Sequence, residues 1–293
     1  MRPMNRLIRI SSGKILFASD LQGVLYDFEQ VLFKYAELRR KGEADFLVFG
    51  GDVIHAYPGY DDDSLHLLER LMSISEQDPS IIYLMGNHEL AHVLHWRLRK
   101  GQLDFTEELE SRMGGAREEF IRFLSDRPFG LMTRGGVMML HTGPSELLGS
   151  LKLNEEADLE LWDWFWNVDF HKTLPNGPTP LQVFDPEFGR KLLTYRHGRI
   201  LWEAFMNKNE YQYDDYSNIL RRYLANFQGL VSYLVSGHIP VSSGAKNLYE
   251  RQLRICSGYG AIDDSHKKLL LVEADMIYES LGALQSGLIR LFG

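Results

Sequence analysis

Ile81-Ile82-Tyr83-Leu84-Met85 runs without a spacer into Gly86-Asn87-His88-Glu89. Five aliphatic and aromatic residues stopped by a glycine suit a buried parallel strand better than a helix, which needs about 10–12 residues. The polar tetrapeptide then stands at a strand's carboxyl end, the edge where ligands bind in open α/β sheets because strand-to-helix loops converge there. Two earlier runs end alike: residues 14–19 deliver Asp20-Leu21-Gln22-Gly23, and residues 45–49 deliver Gly50-Gly51-Asp52. Helical periodicity over Leu25–Arg40 and Ser64–Gln77 joins these runs, which predicts a βαβαβ unit with a parallel sheet. The tetrapeptide also reads as a helix start, with Asn87 as the cap and Glu89 in the first turn.

Further on, a helical stretch at 106–126 is weakened by Gly114-Gly115, and the pair Gly135-Gly136 marks a turn before a buried strand that ends at His141. After Thr142-Gly143-Pro144 come a tryptophan-rich helical stretch at 154–171 and a connection containing Pro175, Pro178 and Pro180, read together as an insertion. A helix at 216–227 leads into Val231-Ser232-Tyr233-Leu234-Val235, which ends at Ser236-Gly237-His238; apolar runs at 253–256 and 269–272 complete what reads as an all-β second half.

Composition narrows the function. The 293 residues carry 40 acidic against 32 basic side chains, a net charge of -8, which argues against a binder of the phosphate backbone of nucleic acids. Cys256 is the single cysteine, so an internal disulfide and a thiolate zinc site within one chain are excluded, and a cytoplasmic location is expected. The apolar stretch after Arg2 and Arg6 is broken by Arg9 and Ser11, so no signal-peptide core is expected, and no segment approaches the roughly 18 apolar residues of a membrane span.

The candidate site residues are Asp20, Gln22, Asp52, Asn87, His88, His141 and His238, each at or just past the end of an apolar run. They offer only oxygen and imidazole donors. Such a set suits two divalent metals about 3.5–4 Å apart, which polarise a phosphoryl group and acidify a bound water. Asp20 and Gln22 are two apart, as is the strand period, so both can face one cation; Asp52, in a tight glycine turn, is the natural bridge.

The order Asp-x-Gln-Gly, Gly-Asp, Gly-Asn-His-Glu, His-x-Gly-Pro, Gly-His resembles the calcineurin-like metallophosphoesterases, and within them the phosphoprotein phosphatases that act on Ser/Thr. Ile200-Leu201-Trp202-Glu203 and Glu250-Arg251-Gln252-Leu253 extend the likeness over nearly the whole chain. The resemblance implies a single α/β (α+β) domain over residues 1–293, a four-layer fold with a central β-sandwich flanked by helices and a Trp-rich insertion at about 153–181. It implies that Asp20, Gln22 and Asp52 hold one metal, that Asp52, Asn87, His141 and His238 hold the second, and that His88 protonates the leaving oxygen after a metal-bound hydroxide attacks phosphorus. Manganese is the expected cofactor, with iron, zinc or magnesium as alternatives. The expected partner is a phosphorylated substrate, a phosphoprotein or small phosphoester, with neither nucleic acid nor membrane involved.

The sequence departs from the family pattern at four places. Gln22 takes the place of a histidine, His55 that of the aspartate that orients the acid histidine, Ala56 that of a phosphate-gripping arginine, and Met85 that of another arginine. No second phosphate arginine aligns, and Arg196, Arg199, Arg221 and Arg222 lie in the right part of the chain; His55 and, of these arginines, Arg196 are assigned to the substrate. The function expected is hydrolysis of phosphate monoesters. Alternatives are a dinucleoside polyphosphate hydrolase, against which the sparse arginines argue, and a weakened pseudo-phosphatase that only binds phosphorylated ligands.

Other features read simply. Trp162, Trp164 and Trp166 are expected to pack in the core rather than form an aromatic lid. Asp61-Asp62-Asp63 reads as a solvated helix start, His92 and His95 as packing residues with His92 bordering the site, and the stripe Leu281, Leu284, Leu288, Leu291 as a tail docked on its own domain or a second subunit.

Overall fold

A computed structural model describes residues 4–172 and 191–292. Its strands are β1 Leu7–Ile10, β2 Lys14–Ala18, β3 Phe46–Phe49, β4 Ile81–Tyr83, β5 Arg99–Lys100, β6 Leu103–Asp104, β7 Gly130–Thr133, β8 Val137–Leu140, β9 Tyr233–Ser236, β10 Ala245–Leu248, β11 Gln252–Ile255, β12 Lys268–Glu273 and β13 Leu288–Arg290. One sheet runs β1-β7-β8-β9-β11-β10, a second runs β13-β12-β2-β3-β4, and β5 and β6 form a small hairpin. In the second sheet β2, β3 and β4 pair in parallel, with Ala18 opposite Phe49 and Phe49 opposite Tyr83, so their carboxyl ends lie level.

Strand periodicity explains how the sheets stack. In β2, Ile15 and Phe17 enter the core between the sheets, while Leu16 and Ala18 enter the core under the helices. Val48 faces the first core and Leu47 and Phe49 the second; β8 answers from the opposite sheet, with Val137 and Met139 inside and Met138 and Leu140 outside. Strands that bury both faces read as continuous apolar runs, which is why 14–19 and 45–49 lack polar alternation. The result is the expected sandwich flanked by helices.

Helices α1 Leu25–Arg40 and α2 Ser64–Gln77 join the parallel strands, and α3 Asn87–Val93 follows β4. The stretch 106–126 divides where its glycines foretold: α4 Phe105–Met113, a turn of 3₁₀ helix at Gly114–Ala116, and α5 Arg117–Ser125. The second half is not all β. It contains the helices Glu146–Ser150, Glu156–Asn167, Arg196–Met206 and Tyr216–Ala225, whose amphipathic runs cover the outer face of the first sheet, and Leu281–Gln285, which sends Leu281 and Leu284 into the core between the sheets. Trp162 and Trp166 are buried, with Trp162 edge-on to Tyr223 and Phe227, which makes them core residues rather than a lid. The connection with Pro175, Pro178 and Pro180 lies outside the described residues. The tail leucines fold back on their own sheet: β13 pairs antiparallel with β12, and Leu281, Leu284 and Leu291 are buried. Among the described residues no helix is long and apolar enough to cross a membrane.

Phe17 is fully buried between the sheets. Phe17→Ala should cost about 3–5 kcal/mol, read as a lower urea midpoint with an unchanged slope. A loss within error of zero would show that the sheets do not pack through this residue.

Candidate metal centre

Five strand ends supply the site. Asp20 and Gln22 follow β2, Asp52 follows β3, Asn87 and His88 open α3 after β4, His141 follows β8 and His238 follows β9. Both sheets therefore contribute, and their carboxyl edges meet over one point. The contact between the β2 and β9 ends is tight: the backbone N–H of His238 donates to the Asp20 carboxylate at 2.9 Å, and any side chain at Gly237 would collide with Asp20 and Ser19. Ser19 Oγ donates to Asp20 Oδ2 at 2.6 Å and fixes its rotamer.

Glu89 positions the β3 and β4 ends. Its buried carboxylate accepts four hydrogen bonds, from the backbone N–H of Asp52 (2.9 Å), Val53 (3.0 Å) and Gly86 (3.0 Å) and from Tyr83 Oη (2.6 Å). The bond from Gly86 is the helix-start half of a capping box, so Gly86 and not Asn87 is the cap residue of α3. That leaves the Asn87 amide free to reach the site. Gly86 must lack a side chain, since a Cβ there would meet Asp52 and Glu89.

Around the centre, Asn87 Oδ1 lies 2.9 Å from His141 Nε2 and 2.8 Å from His238 Nδ1; those two nitrogens are 3.2 Å apart, and His141 Nε2 is 3.3 Å from Asp52 Oδ1. The other nitrogen of His141 donates to Gly50 O at 3.0 Å, the kind of bond that turns Nε2 and its lone pair toward a ligand. Facing one another, these four atoms need a positive charge between them, either a metal ion or, without one, the proton that His141 then holds. Asp52, His141 and His238 alone already present ligand atoms within 4.8 Å of one another, as a metal ion requires. Beside them Gln22 donates through Nε2 to Asp52 Oδ2 at 3.2 Å, while its buried Oε1 has no partner. A buried amide oxygen without a donor is costly, and a cation held by Asp20, Gln22 and Asp52 would satisfy it.

The electrostatics agree. Burial works against the charged form of Asp52, but the His141 and His88 imidazoles outweigh it and hold the carboxyl well below its ordinary range. Burial lifts Asp20 to about 7 against the pull of His141. His141 is disfavoured as a cation by burial and nevertheless raised to about 9 by Asp52. Burial and the charge of His141 push His238 down to about 3.

His88 stands beside this centre. Its backbone N–H donates to Asp52 Oδ1 at 3.0 Å, its Nε2 is 3.7 Å from Asp52 Oδ2, and its Nδ1 is 3.0 Å from Nδ1 of His55. The His55 backbone is tied by Ser64 Oγ, which accepts its N–H at 2.6 Å, and Asp62 Oδ1 accepts the next N–H, of Ala56, at 3.1 Å. Asp61-Asp62-Asp63 does stand at the start of α2, with Asp63 as its cap residue, and Asp62 in addition clamps this loop. The rim is aromatic: Tyr57 stacks on Tyr259 at 4.3 Å between ring centres, and the Lys100 ammonium sits 3.9 Å from the Tyr57 ring. A cleft of about 310 Å³ opens next to it, lined by His55, Tyr57, Tyr60 and Phe105 among others.

The structure thus brings together Asp20, Gln22, Asp52, His55, Asn87, His88, His141 and His238. Arg196 is not among them: its guanidinium is engaged by the Asp158 carboxylate and by Ala157 O at 3.3 Å, on the exposed side of its helix. Glu110, Tyr57 and Tyr259 were missed. Glu110 stands on α4 and His92, its partner at 2.9 Å, on α3, so no periodicity within one helix marks the pair.

A sandwich whose strand ends converge on carboxylate, amide and imidazole donors defines a metal-dependent phosphoesterase. The calcineurin-like phosphoesterase family model matches residues 13–242 of the chain, and the protein belongs to that family. Its fold is similar to a cold-active protein-tyrosine phosphatase of a psychrophilic Shewanella species, with a TM-score of 0.59 and 17% identity over 94% of this chain and 78% of that one. A protein serine/threonine phosphatase from Saccharomyces cerevisiae gives a TM-score of 0.53 and 14% identity over 91% of this chain and 76% of that one. At these identities the likeness is one of fold. No curated protein matches the chain.

Glu89→Gln tests the scaffold, because an amide offers one acceptor atom where four donors now converge. Metal affinity should fall about 10–100-fold, measured by calorimetry on refolded and native preparations alike. Wild-type affinity would mean that the Asp52 turn is held by other contacts.

Proposed function

We propose that the protein hydrolyses phosphate monoesters of the phosphoprotein type, with two divalent metals in the centre. The observation that carries this reading is the convergence of Asp52, Asn87, His141 and His238 on one point, with the Gln22 oxygen unpartnered beside it. Asp20, Gln22 and Asp52 would hold one metal, and Asp52, Asn87, His141 and His238 the other. Metals bound there would polarise the phosphoryl group and acidify water. The oxygen-rich first set, two carboxylates and an amide, favours manganese or magnesium over zinc. His88 is the proton donor to the leaving oxygen, since it is buried, lies against Asp52 and has one ring nitrogen directed to the centre. His55 belongs to the substrate side of the site through His88, whereas the contacts of Arg196 with Asp158 do not favour a role at phosphate. Two fold neighbours whose names are those of protein phosphatases, one for tyrosine and one for serine/threonine, support a phosphoprotein substrate. A cytoplasmic location belongs to the same reading, supported by the buried free thiol of Cys256.

The decisive experiment is a manganese-supplemented assay on p-nitrophenyl phosphate, phosphoserine, phosphothreonine and phosphotyrosine peptides and diadenosine tetraphosphate. Turnover of the monoesters is expected. Turnover of the dinucleotide alone would favour the polyphosphate hydrolase, and peptide binding without turnover a pseudo-phosphatase. Asp52→Asn should abolish metal content and activity together, because both metal sets share that carboxylate; intact metal content would sink the shared-ligand assignment. Gln22→His should lower the manganese needed for half-maximal rate, since imidazole is a stronger donor than an amide oxygen, and an unchanged requirement would show that Gln22 does not face a cation. His88→Ala should lose roughly 10²–10⁴ in rate on phenyl phosphate and much less on p-nitrophenyl phosphate, whose leaving group needs little protonation.

A further inference from the structure

Behind His88 a line of buried rings leads away from the metal centre. His88 Nδ1 meets His55 Nδ1 at 3.0 Å, His55 Nε2 meets His92 Nε2 at 2.9 Å, and His92 Nδ1 meets Glu110 Oε1 at 2.9 Å. The other oxygen of Glu110 accepts from Arg117 Nε at 2.6 Å. His55, His88 and His92 are each at most 4% exposed, so no bulk solvent competes for these contacts. Phe105 stacks on His55 with ring centres 5.3 Å apart and an interplanar angle of 19°, which holds the middle ring flat.

Hydrogen-bond arithmetic gives this line a direction. A neutral imidazole has one N–H and one acceptor nitrogen, and each contact between two rings holds a single proton. Glu110, paired with Arg117, is a carboxylate that only accepts. His92 must then donate from Nδ1, so its Nε2 accepts from His55 Nε2–H, and His55 Nδ1 in turn accepts from His88 Nδ1–H. The nitrogen left over is His88 Nε2, the one that lies 3.7 Å from Asp52 Oδ2 and faces the centre.

We infer that Glu110, acting through His92 and His55, is the positioning residue that fixes the ring orientation of His88 and keeps an acceptor on its Nδ1–H, so that Nε2 is the nitrogen that takes up a proton from water and, from the imidazolium, gives it to the leaving oxygen. The inference rests on the reading of His88 as the proton donor. A reversed line would place the lone proton on Nε2 and turn an N–H of His55 toward His88 Nδ1, where a second proton could not be accommodated. One anion three residues away thereby decides which nitrogen of His88 handles the proton.

Glu110→Gln provides the test. The amide oxygen stays with Arg117, its strong donor, and the NH₂ group faces His92 Nδ1, which reverses every bond in the line. Long-range ¹H–¹⁵N spectra of the histidine rings in chelator-treated protein should show Nδ1–H at His88 and His92 and Nε2–H at His55 in the wild type, and the opposite set in Glu110→Gln. On phenyl phosphate the variant should lose about 10–100-fold in kcat with KM unchanged, and p-nitrophenyl phosphate should be affected least. A neutral wild-type His88 whose single proton is on Nε2, or a Glu110→Gln protein that keeps the wild-type tautomers, overturns the inference. If Glu110→Gln does not fold, His92→Gln interrupts the line at its middle and should leave His55 and His88 in mixed tautomers; a single wild-type set in that variant overturns it equally. The ring spectra do not depend on turnover, so a protein without phosphatase activity would refute the function while the tautomers still decide the relay.

Discussion

The carboxylate of Glu89 is the constraint on which the site depends. Three backbone N–H groups and one phenol converge on it from β3, β4 and the turns that follow them. Buried donors of this kind each cost about 1–3 kcal/mol when left unpaired, so the Asp52 turn and the start of α3 are locked to one another through a single side chain. This explains why helix cap and ligand set are compatible readings of Gly86-Asn87-His88-Glu89. Glu89 caps, and Asn87, relieved of capping, turns its amide oxygen toward His141 and His238.

Strain accumulates where the residues of the site are delivered. Asp20, Gln22, Asp52, His55 and His238 all have φ between 50° and 71°, a region that non-glycine residues rarely occupy. Such conformations cost on the order of 1–3 kcal/mol each and persist only where surrounding contacts over-determine them. Here the contacts can be named: Asp20 accepts from Ser19 and His238, the Asp52 N–H is fixed by Glu89, and the His55 N–H by Ser64. The two sheets supply the rigidity that makes this possible, since their apolar strands end level and leave little slack in the loops above them.

Much of this was legible in the sequence because it follows from local chemistry. Apolar runs of four to six residues ended by glycine or a polar pair marked β2, β3, β4, β8 and β9, and the residues past their ends are the ones that meet. What stayed hidden depends on partners far apart in sequence. The run at 253–256 read as apolar although Arg254 within it is fully buried, because Glu210, whose two oxygens it reaches at 2.7 Å, lies on a different segment. Lys267 and Asp27, 240 residues apart, form a similar buried pair. The short strand β1 went unseen since its pairing with β7 is set by the sandwich and not by its own four residues. Arg196 was placed at the substrate on its position along the chain alone, and the nearby Asp158 claims it.

The departures from the family pattern gain meaning from the same bonding rules. A carboxylate at position 55 would end a hydrogen-bond line at once, because it accepts without needing to donate. An imidazole cannot: to accept from His88 it must give its own proton to something else, and within a dry interior that something must be another acceptor. His92 meets the need only by passing the proton demand onward, and Glu110 ends it near the surface, where Arg117 neutralises the charge. A histidine at 55 is therefore tolerated only together with His92 and Glu110. Read in isolation each of the three is a plausible packing or surface residue; their joint geometry turns a substitution that looks disabling in the sequence into a longer route to the same orientation of His88.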